Sequence, residues 1–282
     1  MSALAGRLAR LQRQAGARER GPAEKRAAVI EDAPRPSPAE RLAQLRRQLG
    51  LRERVVARVA QRRNADRALP GLEIGPGLYL LETRCDWLAA PPWLDAGFAG
   101  HGAIRRERFL HFDTETTGLA GGTGTRAFML GAADWSANGL RLRQLTTATL
   151  AAEADMLRAF AAWLAPDTVL VSYNGRTYDA PLLATRYRLA RLDNPLEGLP
   201  HLDLLHPVRR RWREDWPNCR LATAEGRLLG VEREDDLPGA QAPRAWLDYL
   251  RGGSAADLRR VLAHNAQDLR SLAGILLRLG SI

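Results

Sequence analysis

The sequence predicts an α/β fold built on a mixed sheet, in which an antiparallel meander is continued by parallel strands and flanked by helices. Three observations predict it. Three apolar, strand-like runs follow one another between residues 108 and 150. A helix–strand–helix passage comes next, and the last third of the chain is largely helical in its periodicity. Consecutive strands that then begin to alternate with helices suit a sheet whose later members are parallel.

Each element follows from its local pattern. Phe109-Leu110-His111-Phe112-Asp113 reads as a buried strand that ends on acids. Residues 126–135 and 139–150 form the second and third apolar runs, separated by the Asn138-Gly139 turn signal. Residues 153–164 repeat at helical spacing, with Met156, Leu157, Phe160, Trp163 and Leu164 on one side. Residues 168–172 are a short apolar strand, 179–192 a helix, and 201–205 a further short strand. Helices are expected over 218–230, 244–251 and 254–279, the last with Ser254 and Asp257 as its N-terminal signature.

Two segments precede this main domain, which is expected over 105–282. Residues 1–70 form a basic extension, partly disordered and partly helical, with a helix around 38–63. Three prolines between positions 32 and 38 break any continuous helix there. Residues 71–104 form a Gly/Pro-punctuated connector whose Trp87 and Trp93 are expected to pack on the main domain. The chain carries a formal net charge of +10. Residues 1–70 hold 17 Lys and Arg against 7 Asp and Glu, and the remainder holds 25 of each. The whole surplus therefore sits in the first quarter, which suits contact with phosphate backbones or with a protein partner. Cys85 and Cys219 lack metal-ligand spacing, which argues against a zinc site or a disulfide framework. No apolar run approaches the roughly 20 residues that span a bilayer, and no secretory signal is visible, so a cytoplasmic protein without membrane contact is expected.

Three motifs carry chemistry. In Phe112-Asp113-Thr114-Glu115-Thr116-Thr117-Gly118-Leu119 the two acids stand at i and i+2 of a strand and share a face. Adjacent carboxylates repel unless a cation neutralises them, so the pair suits a hard divalent ion; alone, it also suits a solvated acidic turn. Tyr173-Asn174-Gly175-Arg176-Thr177-Tyr178-Asp179 runs from a strand through a turn into a helix. Asp179 there is either a helix N-terminal acid favoured by the dipole or a further metal-facing acid. In His264-Asn265-Ala266-Gln267-Asp268 the first and last residues stand at i and i+4 of a helix and point together. The glycine-rich insert at 118–125 lacks the Gly-Lys-Ser/Thr of a phosphate-binding loop and reads as a flexible connection.

Taken together, Asp-x-Glu on the first core strand, a middle Asp and His-x-x-x-Asp on a late helix resemble the DEDD superfamily of 3′–5′ exonucleases, which are DnaQ-like and have a ribonuclease-H-like fold. The likeness is closer to the YprB-type ribonuclease-H-like domain. Its flavour shows in residues 173–183, in His201-Leu202-Asp203-Leu204-Leu205-His206, in 209–212, in 219–225 and in 230–239. The resemblance covers roughly residues 105–280. It implies a nuclease that hydrolyses DNA or RNA phosphodiesters with two Mg²⁺ or Mn²⁺ ions, held by Asp113, Glu115, Asp179 and Asp268. It places the general base on His264, while Thr116 and Asn174 are candidates for positioning substrate, and Asp203 is a candidate equally for an outer supporting role and for a capping or solvated one. The chain departs from the family at the base: one branch has a histidine five residues before the last Asp, the other a tyrosine four before, and this chain has a histidine at the tyrosine spacing. A nucleic-acid-binding or scaffolding module without catalysis and a structure-selective endonuclease are the alternatives on the same fold.

Overall fold

The computed structural model describes residues 66–87, 90–118, 123–233 and 237–281. The helix expected around 38–63, most of the basic extension and residues 119–122 of the glycine-rich insert lie outside the described residues.

A seven-stranded sheet organises the domain. Its strands are β1 (Leu72–Gly75), β2 (Leu78–Cys85), β5 (Phe109–Thr116), β6 (Ala127–Ser136), β7 (Gly139–Thr147), β8 (Val169–Ser172) and β9 (His201–Asp203). They lie in the order β1-β2-β7-β6-β5-β8-β9. Pairing is antiparallel from β1 to β5 and parallel across β5, β8 and β9, so the mixed sheet expected from the sequence is present. The β6–β7 turn comprises Ala137 and Asn138, one residue before the Asn-Gly signal, and Gly139, which opens β7, has φ 107°, a left-handed value that a Cβ would strain. A separate hairpin joins β3 (Trp93–Asp95) to β4 (Ala103–Arg105).

Alternation along the strands divides the core between the two faces of the sheet. Leu110, Phe112, Leu130, Leu145 and Leu170 face α1 (Glu153–Ala161) and α2 (Asp179–Leu189), whose Met156, Phe160, Leu183 and Tyr187 cover them. Phe109, Ala133, Leu142, Val169 and Val171 face α4 (Leu221–Leu229) and the 24-residue α6 (Ala256–Leu279). In sequence α3 (Leu205–Trp212) lies between α2 and α4, and α5 (Ala242–Leu250) between α4 and α6; Trp246 of α5 stacks on Phe128 at 5.1 Å. Truncating a fully buried ring such as Phe112 or Phe160 would cost about 3–5 kcal/mol.

Some elements differ from the sequence expectation. β1 and β2 extend the sheet within the stretch read as a connector, where glycines and prolines obscured a strand alternation. Helix α3 went unread because Arg209, Arg210 and Arg211 interrupt its apolar period, although Leu205 and Val208 are buried. Trp87 packs on Trp135 at 5.5 Å as expected, whereas Trp93 is exposed beneath the guanidinium of Arg105. Ser254 Oγ accepts the Ala256 N–H, although the residue flanking α6 is Ala255. Residues 66–68 dock on the start of α6: Asp66 pairs with Arg259 at 2.8 Å, and its carbonyl accepts the Ala255 N–H.

Candidate active site

The site forms at the C-terminal end of β5, where the antiparallel and parallel halves of the sheet meet. Asp113 and Glu115 alternate with the apolar residues facing α1 and α2, so both project toward α6. Asp268 comes from α6 on that same face. Asp179 comes from the first turn of α2 on the opposite face. Thr114, which points the other way from its neighbours Asp113 and Glu115, donates its hydroxyl to Asp179 Oδ1 on that opposite face.

A row of three strand residues supports Asp113. Asp113, Gly131 and Gln144 are register partners across β5, β6 and β7. Asn265 of α6 is fully buried over Gly131; any Cβ there would collide with its side chain. Its Nδ2 donates to Asp113 Oδ2 at 2.8 Å, and its Oδ1 accepts from Gln144 Nε2 at 2.9 Å. This chain of amides aims one carboxylate oxygen. Neither Asn265 nor Gln144 was assigned from the sequence. The signal for Asn265 was its place one turn before the apolar Leu269 rather than beside it, within a motif already noted.

Asp203 organises the middle segment. Its Oδ1 accepts the Asn174 N–H at 2.7 Å and its Oδ2 the Arg176 N–H at 3.1 Å. The buried carboxylate therefore holds the turn that delivers Asp179, with Asn174 in a left-handed conformation at φ 66°. Thr116 spends its hydroxyl on the Gly118 carbonyl at 3.0 Å, at the start of the glycine-rich insert.

The last motif lies beside a guanidinium that sequence reasoning left unassigned. Arg233 donates from Nε and Nη2 to both oxygens of Glu225, at 2.8 and 2.6 Å. The same Nη2 donates to Asp268 Oδ1, and Nη1 lies 3.1 Å from His264 Nδ1. A guanidinium only donates, so Nδ1 is the acceptor and the proton of a neutral ring sits on Nε2, 3.5 Å from Asp268 Oδ2.

The acids strain one another electrostatically. Burial, then the charges of Asp268, Asp179 and Glu115, push the Asp113 carboxyl well above the usual range. Burial pushes Asp179 up to about 6 despite the Thr114 hydrogen bond. Asp268 is also raised by burial, against the pull of His264 and Arg233. By donor type alone, such hard carboxylate oxygens suit a divalent cation, whose charge would offset the mutual repulsion. Among the described residues, no three His, Cys, Asp or Glu side chains converge closely enough to enclose an ion.

A family model of the RNase_H superfamily matches residues 110–279. The uncharacterized protein YprB of Bacillus subtilis strain 168 is 34% identical over 171 residues, 60% of this chain and 41% of that protein. The chain thus spans about two-fifths of the length of that relative. Among solved structures, the family B DNA polymerase of the archaeon Pyrobaculum calidifontis matches with a TM-score of 0.48 at 19% identity, over 61% of this chain and 24% of that one. Exonuclease I of E. coli, in complex with a dT13 oligonucleotide, matches with a TM-score of 0.36 at 15% identity, over 56% and 45%.

Proposed function

The chain belongs to the RNase_H superfamily, and from that premise we propose that it is a metal-dependent nuclease, a 3′–5′ exonuclease acting on DNA or RNA. The observation that carries the proposal is the gathering of Asp113, Asp179, Glu115 and Asp268 from three elements, with the first pushed up by burial and by the charges of the other three. These four carboxylates would hold two Mg²⁺ or Mn²⁺ ions. Bound divalent ions supply Lewis-acid chemistry, making a water nucleophilic at neutral pH and steadying the leaving oxygen.

The protein's own groups do the rest. Asn265 aims Asp113, and Asp203 fixes the turn before Asp179. Asn174 and Thr116 are the proposed substrate-positioning residues. His264 is the proposed proton acceptor, and it takes up that role once a ring nitrogen is released from its present hydrogen bonding. Residues 105–282 are the proposed catalytic domain, with the basic segment at 1–70 contacting nucleic acid or a protein partner. A cytoplasmic setting belongs to the same proposal; no helix among the described residues is long and apolar enough to cross a membrane.

The test is cleavage of end-labelled single- and double-stranded DNA and RNA with Mg²⁺, Mn²⁺ or EDTA. A metal-dependent ladder shrinking from the 3′ end supports the proposal. A binding module without catalysis is the second reading, favoured by the engagement of Asp268 with Arg233 and by the lack of a closed ion cage among the described residues. Uncut substrate with folded, metal-loaded protein would select it.

A further inference from the structure

Three of the four acids, Asp113, Asp179 and Asp268, are held in two different ways. Asp113 accepts from the Asn265 amide and Asp179 from the Thr114 hydroxyl, both neutral donors. Asp268 accepts from a full positive charge. A neutral donor stays in place when a cation arrives at the other carboxylate oxygen. A guanidinium does not share a carboxylate with a divalent ion without strong repulsion.

The local chain explains how Arg233 reaches this position. Helix α4 ends at Gly230, whose left-handed φ of 66° turns the backbone, and the Val231 N–H returns to the Glu225 carbonyl at 3.4 Å. Arg233 is thereby folded back onto Glu225, which is only 1% exposed. The two-pronged pair fixes the plane of the guanidinium. This anchor also makes release from Asp268 feasible, because Arg233 would keep its partner and no lone charge would be left buried.

We infer that Arg233 is the resident counter-ion of Asp268, a positioning residue whose contact an incoming divalent cation must displace and which therefore sets the cation affinity of the site. The inference rests on the nuclease reading above. The same exchange frees the donor side of Arg233 from Asp268 and loosens its hold on His264, so ion uptake and release of the proposed base become one event.

The test is Mn²⁺ binding to metal-free protein, followed by electron paramagnetic resonance of the free ion. The double variant Glu225→Gln/Arg233→Gln replaces the Glu225–Arg233 charged pair with two amides, so neither of those two groups is left charged alone, and it takes the guanidinium away from the Asp268 carboxylate. It should bind Mn²⁺ about tenfold more tightly than the unaltered chain. Arg233→Lys, which keeps the charge, should stay close to the unaltered chain, an ordering by charge that a purely structural strut would not produce. Equal or weaker binding by the double variant overturns the inference. A second measurement needs no substitution: the Arg233 side-chain NMR resonances should shift when Mg²⁺ is added, and unmoved resonances with Mg²⁺ bound overturn it as well. If the unaltered chain and Asp113→Asn take up Mn²⁺ alike, the nuclease reading itself falls, whatever Arg233 does.

Discussion

Two buried Glu–Arg pairs stand on opposite faces of the sheet and do different work. On the α1–α2 face, Arg186 donates to both oxygens of Glu153 at 2.6 Å, and Arg126 joins the same carboxylate. The remaining prong of Arg186 goes to the main-chain carbonyls of Thr123 and Thr125. On the α4–α6 face, Arg233 grips Glu225 in the same two-pronged way, but its spare donors go to Asp268 and His264. The first pair ties side chains to backbone and closes a loop. The second ties a buried anchor to groups that can exchange partners. The difference lies in the third partner rather than in the pair.

Four experiments break or sharpen that contrast. The largest effect is expected from Asp113→Asn, on the α6 face: cleavage should fall to background while the fold persists. Because burial and neighbouring charges push the Asp113 carboxyl up, its ionised form opposes folding at neutral pH, so the amide should not lower the melting temperature in EDTA. Full activity in this variant would sink the site assignment. Next, Arg186→Met strands the Glu153 carboxylate with only the half-exposed Arg126 and should cost about 3–5 kcal/mol of unfolding free energy. Its Mn²⁺ affinity should be unchanged; a matching loss of affinity would erase the distinction between the two faces. Asn265→Ala frees the Asp113 oxygen and should reduce ion affinity or turnover by about 10–100-fold, read by titration and by rate. The smallest effect on cleavage is expected from removing residues 1–65. A cut at 70 would also remove the docked Asp66 and Arg67. The salt slope of nucleic-acid binding should flatten by about 0.9 for each phosphate that the shortened chain no longer neutralises. An unchanged slope assigns the basic segment to a protein partner.

Much of this molecule was legible in short sequence windows, and the limits of that reading are physical. Strand and helix periods placed β5 to β9, α1, α2 and α6 to within a few residues, because burial of one face imposes a 2.0 or 3.6 repeat that neighbouring residues display by themselves. The i, i+2 relation of Asp113 and Glu115 and the i, i+4 relation of His264 and Asp268 are equally local. Helix α3 escaped because its polar face carries three consecutive arginines, and β1 and β2 because turn residues crowd them.

The sequence by itself determined which side chains point together within each element, since backbone geometry alone sets that. Only the tertiary structure decided which elements meet. It set Asn265 over Gly131 between Gln144 and Asp113, and it brought Arg233 from beyond a helix end to Asp268. Those pairings join residues 35 to 152 positions apart. Their partners are selected by packing of α4 and α6 on the sheet, a long-range outcome that no local period encodes.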